Sequence, residues 1–140
     1  MDMKKTLGAI VAGFIVDAGS GYLIHEVLLK KAYMNTADLW RSEGAMNHRL
    51  WIMFLAEFIF IVAAVLIYQR GVEKKSWIGQ GIRYGILLAL VAPVPGFMMN
   101  YVALPVPHQL ALHWILAGIV QMVLVALVIG GICQPKADAA

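Results

Sequence analysis

Four long apolar runs separated by short polar stretches dominate the chain, at about residues 7–29, 50–68, 78–104 and 109–132. An α-helix rises 1.5 Å per residue, so crossing about 30 Å of hydrocarbon takes roughly 20 residues. Each run comes close to or exceeds that length. The pattern therefore predicts four transmembrane helices in a single transmembrane domain over residues 1–140, closing as an all-α integral membrane four-helix bundle. Lys4 and Lys5, the apolar stretch after them and Ala18-Gly19-Ser20 also suit a signal peptide. The segment reads here as a retained first helix. In the third run, Ala92-Pro93-Val94-Pro95-Gly96 predicts a kink, because each proline lacks a donor and crowds the preceding turn.

The connections differ in kind. Residues 30–49 are too many for a tight turn; Asn35 or Thr36 can cap a short helix that Gly44 stops, and Tyr33, Met34, Leu39 and Trp40 supply apolar contacts. A short interfacial helix between helices 1 and 2 is the expectation, with a lid over an underlying site as the sharper alternative. The connection ahead of His108 is stiffened by Pro105 and Pro107 and joins adjacent helices. Gly21–Leu29 also aligns with Gly96–Leu104, setting His25 opposite Asn100 as in a parallel repeat about an axis along the membrane normal.

Polar residues interrupt the apolar runs in a way that suggests a site. Ala9, Gly13, Asp17, Gly21 and His25 recur every four residues and make one small and polar stripe on the first helix. Small stripes let transmembrane helices approach closely, which accounts for the glycines by packing alone. Depth counts at 1.5 Å per residue put His25, Asn100 and His113 about 6 Å below one membrane face, Glu57 about 10 Å, and Asp17 with Gln121 about 18 Å. Glu57 lies within WIMFLAEFIFIVAAVLIY, where a carboxylate must be protonated, paired or coordinated. Glu26 points away from Asp17, toward a headgroup, Lys30 or another protomer.

Composition agrees with this class: 61% of the 140 residues are hydrophobic and 14% charged, against about a quarter charged in soluble domains. The net charge of +3 gives no nucleic-acid partner, because Lys and Arg bracket the apolar runs as they do beside lipid headgroups. The lipid bilayer is the expected partner. Lys4, Lys5, Arg70, Lys74, Lys75, Arg83 and Lys136 fall on one side and Lys30, Lys31, Arg41 and Arg49 on the other. That bias places both termini in the cytoplasm of a bacterial inner membrane. Cys133 is the one cysteine, so no intramolecular disulfide forms.

Several chemistries fit. His25, Glu57 and His113 form a reasonable shell for a divalent metal, zinc or iron, with Met53, Met98 and Met99 adding copper. His25 and His113 alternatively ligate a haem iron axially. A small polar ligand would meet Asp17, Asn100, Tyr101 and Gln121. The leading expectation is thus a membrane binding protein with a polar pocket in the outer half of the bundle. A proton-coupled carrier using Asp17 and Glu57, working as a homo-oligomer because four helices enclose little space, is the alternative. A structural accessory subunit is a third. Covalent catalysis has little support, since Ser20 has no adjacent base and Cys133 lies at the other face. The stretch Gly19-Ser-Gly-Tyr-Leu-Ile-His-Glu-Val-Leu-Leu29 resembles the glycine-rich first helix of uncharacterised small four-helix bacterial integral membrane proteins. The likeness covers most of the chain; it implies the architecture and no activity.

Overall fold

The computed structural model describes residues 2–134, and all regular structure among them is helical. α1 runs over Met3–Tyr22, and the Asp2 side chain caps it by accepting from the Lys4 and Lys5 amides at 3.0 and 3.4 Å. A π-helical turn, Leu23–Leu28, continues it and closes with the Leu29 amide donating to the Ile24 carbonyl at 2.9 Å. The connection that follows holds two short helices, α2 (Lys30–Met34) and α3 (Glu43–Asn47), with a 3₁₀ turn at Ala37–Leu39 between them. The long α4 (Leu50–Gly71) returns, then α5 (Trp77–Val91), α6 (Pro93–Ala103) and α7 (His108–Cys133) complete the chain.

Four helical spans are long and apolar enough to cross a membrane: Met3–Leu28, Leu50–Gly71, Trp77–Ala103 and His108–Cys133. The third is broken at Ala92, which has φ −116° and ψ −79°. Pro93 and Pro95 occupy the first turn of α6, where the missing amide donors would have had no helical partner. The break sits where the proline pair predicts it.

α7 is the central element, packed against α1, α5 and α6. Its buried positions, Leu110, Ala111, Trp114, Gly118, Met122, Val125, Ala126, Ile129, Gly130 and Cys133, form one helical stripe. Close approach of α5 requires glycine at position 85, where a Cβ would lie 2.5 Å from the Val123 Cα and 2.8 Å from the Met122 carbonyl oxygen. On α1 the small stripe faces inward: Ala9, Gly13 and Asp17 are buried, while Gly21 and His25 are half-buried.

Two packed regions result. At the end holding Lys5 and Gln134, Ile61, Val65, Val125 and Ile129 are fully enclosed, and the Tyr84 hydroxyl donates to the Ala64 carbonyl at 2.6 Å, tying α5 to α4. Buried Gln80 holds the 72–76 connection there, donating to the Glu73 and Lys75 carbonyls and accepting from the Glu73 amide. At the opposite end, below termed the loop end, Ile24, Leu29, Val106, Leu110, Ala111 and Trp114 cluster with Tyr33, Leu39, Trp40 and Phe97. α4 takes part only in the first region. All of residues 50–56 are exposed, so its loop-end half stands away from the rest of the bundle except where Phe14 meets Phe54 and Phe58 edge-on.

Candidate functional site

Asp17 lies midway along α1 with a residue exposure of 4%, and such a side chain needs a partner. Gln121 of α7 supplies it: Nε2 donates to the Asp17 carboxyl at 2.8 Å and to the Asp17 carbonyl at 3.0 Å. Ser20, one turn on, donates its hydroxyl to the Val16 and Asp17 carbonyls and so leaves the carboxyl to Gln121. The pairing of Asp17 with Gln121 agrees with their equal depth along the two helices.

Glu57 of α4 lines the same cleft as Asp17. The cleft has a volume of about 230 Å³, and Ala56, Phe60, Ala92, Pro93 and Met122 complete its lining. It lies between α4 and the α5–α6 break. Glu57 Oε2 is fully buried and has no hydrogen-bond partner among the described residues. No Lys, Arg or His stands in the lining, so the two acidic groups face each other across an otherwise apolar space.

The other expected site residues are dispersed. His113 and Asn100 are exposed, and Tyr101 is 46% exposed on a separate apolar groove of about 590 Å³ between α6 and α7, lined also by Met98, Met99, His108 and Leu112. Consequently no three His, Cys, Asp or Glu side chains gather at metal-ligand spacing among the described residues. The shared outer layer of His25, Glu57, Asn100 and His113 is therefore not assembled. Equal depth does not ensure equal facing: the buried stripe of α7 passes through Trp114, which turns the adjacent His113 outward.

His25 has a different set of neighbours. Its Nδ1 lies 2.6 Å from the Tyr33 hydroxyl, and Trp114 Nε1 donates to that same oxygen at 2.7 Å. The indole can only donate, and the phenol has one proton, so that proton goes to His25 Nδ1. His25 is then the neutral tautomer with its hydrogen on Nε2, and neither ring nitrogen offers a free lone pair to a metal. Burial raises the Tyr33 phenol above its ordinary value, the Trp114 bond opposes this and the Glu26 charge adds to it, so the hydroxyl stays protonated.

An aromatic cluster encloses this chain of bonds. Tyr33 stacks on Trp114 with centroids 6.4 Å apart, Trp40 meets both edge-on at 5.4 and 6.0 Å, and Phe97 lies 5.6 Å from Trp114. Trp40 Nε1 donates to Thr36 Oγ1 at 3.0 Å, which fixes the 3₁₀ turn beneath its own ring. The loop end of the bundle is thus filled by rings contributed by α2, the connection, α6 and α7. Sequence reasoning singled out Tyr33 and Trp40 as apolar contacts and passed over Trp114 and Phe97. The signal for Trp114 was its register with Gly118, Met122 and Val125 on the inward face of α7.

Comparison of the chain with protein-family models, with curated proteins and with solved structures finds no match.

Proposed function

We propose that the chain is a multi-pass membrane protein that binds a small ligand in the cleft of Asp17 and Glu57, reached from the side between α4 and the α5–α6 break. The observation that carries this reading is the buried, unpartnered Oε2 of Glu57 in a cleft that also holds Asp17. A buried polar atom left without a partner costs free energy, and a bound group that completes it removes that cost. Both polar walls are acidic, so the ligand's head donates hydrogen bonds or carries positive charge. Its body is apolar and small: about 230 Å³ exceeds the cavity of about 150 Å³ that holds benzene and falls short of the usual drug-sized pocket. A protonated arylalkylamine has this shape and chemistry. Gln121 holds the Asp17 carboxyl ready for it.

A proton-coupled carrier is the second reading. It is favoured by the pairing of two acidic groups with no cation in the lining, since a proton then replaces the ligand's charge when the ligand leaves. Under either reading we place the four spans in a bacterial cytoplasmic membrane with the Lys5 end inside, the orientation that the bias of Lys and Arg favours. A divalent metal in this cleft would need a further ligand from water or backbone, because no third His, Cys, Asp or Glu joins the two carboxyls among the described residues.

A lipophilic carbodiimide tests the site, since it adds to protonated carboxyl groups within apolar surroundings. In proteoliposomes it should modify Glu57 and spare Glu43 and Glu73, and N,N-dimethylbenzylamine, a tertiary amine that cannot be acylated to an amide, should slow the modification. Modification of Glu43 and Glu73 with Glu57 untouched would remove the proposal. For placement in the membrane, a membrane-impermeant thiol reagent applied to intact cells should label Ser42→Cys and leave Ser76→Cys unlabelled.

A further inference from the structure

We propose that the connection of residues 30–49 is a lid latched onto the loop end by neutral His25, and that protonation of His25 releases it. The inference concerns the aromatic end of the bundle and is independent of any ligand in the Asp17–Glu57 cleft. Among the described residues, the side-chain hydrogen bonds that tie this connection to the long helices converge on one atom, the Tyr33 hydroxyl oxygen. Around it the contacts are rings: Trp40 and Tyr33 from the connection, Trp114 and Phe97 from the bundle. Leu29 and Leu39 add apolar packing on either side.

The latch depends on the count of protons at that oxygen. Trp114 Nε1–H fills one acceptor position, and the phenol's own proton is given to His25 Nδ1 at 2.6 Å. A protonated imidazole carries hydrogens on both nitrogens. Its Nδ1–H is then directed at the phenol oxygen that already accepts from the Trp114 indole, and the phenol's proton loses the acceptor it had on His25. The docked lid therefore holds one proton fewer at His25 than the released lid. By linkage, docking is complete where free histidine is neutral and is lost progressively as pH falls through the histidine range.

The groups that bear on His25 are few among the described residues. Glu26 is beside it on the same turn, and is exposed. On α2, Tyr33 bonds to it, and the neighbouring Lys30 and Lys31 are exposed. From α7 and α6 the packed residues are Trp114 and Phe97, which do not ionise, and His113 and His108 of α7 are exposed. Tyr33 itself stays protonated throughout this range, because burial pushes it up. His25 is thus the group whose charge changes the latch between pH 8 and 5 (about 6.5 being the ordinary histidine value).

Release would uncover Trp114 and the rings beneath it while leaving the four long helices packed through the other core, in which no lid residue takes part. The lid is a local unit rather than a part of the global fold.

Backbone hydrogen exchange of the full chain in lipid nanodiscs, followed by mass spectrometry between about pH 8 and 5 and corrected for the intrinsic pH dependence of exchange, tests the latch. Protection of the α2 and 3₁₀ segments should fall roughly tenfold on acidification, the factor expected for one buried hydrogen bond, while protection of α7 stays constant. His25→Gln, which keeps an acceptor and cannot ionise, should hold the neutral-pH protection at acid pH. Tyr33→Phe should show the acid-like protection at every pH. Flat protection of the parent lid across this range overturns the proposal without need of a variant, as does a His25→Gln chain that loses protection in step with the parent.

Discussion

Glu57→Met should make the protein more stable while removing its ligand. The side chain is half-buried in α4, and its Oε2 atom is fully enclosed without a hydrogen-bond partner among the described residues. Leaving a buried polar atom unpaired costs about 1–3 kcal/mol, and methionine restores similar volume without the polar atoms. Because the rest of the side chain reaches the open cleft, the gain belongs at the low end, about 1 kcal/mol. Asp17→Leu supplies the opposite sign. It deletes the carboxyl bonded at 2.8 Å and leaves Gln121 with only the backbone carbonyl at 3.0 Å, for a loss of about 1–2 kcal/mol. Unfolding of purified protein in mixed micelles, titrated with a denaturing detergent and read by circular dichroism, measures both. A Glu57→Met chain that is destabilised as much as Asp17→Leu would refute the argument, because Glu57 would then be a paired structural residue. A stabilised chain in which N,N-dimethylbenzylamine still slows carbodiimide modification of Asp17 would instead place the ligand on Asp17 alone.

Two further outcomes probe how the helices are held. Gly85→Ala should destabilise by about 1–3 kcal/mol, since the new Cβ meets the α7 backbone at 2.5 Å, whereas Gly79→Ala, with nothing within 4 Å, should be neutral or gain up to about 1 kcal/mol from helix propensity; equal stabilities in the same detergent titration would mean that α5 and α7 do not approach as described. Gln80→Leu should free the 72–76 connection by removing bonds of 2.8, 2.9 and 3.1 Å, and a protease added on that side should cut near Lys74 and Lys75 in the variant before it cuts the parent.

Run length and spacing were enough to read the helices from the sequence, because backbone satisfaction in an apolar medium leaves few alternatives to a long helix. The proline pair marked the break at Ala92, and the four-residue recurrence of Ala9, Gly13 and Asp17 marked the inward face of α1, since both are local properties of the chain. Depth along a helix is local as well, and it aligned Asp17 with Gln121. Facing is not local. In helices that are apolar all round, periodicity gives little contrast between a side that meets lipid and a side that meets another helix. Only packing decided that Trp114 turns inward and His113 outward, that Asn100 leaves the layer proposed for it, and that α4 stands away at the loop end to open a cleft beside Glu57. The folding of residues 30–40 back onto Trp114 was equally beyond the sequence, because it joins residues 81 apart through one hydroxyl. Short aromatic segments state that they will bury something, and the tertiary structure chooses what.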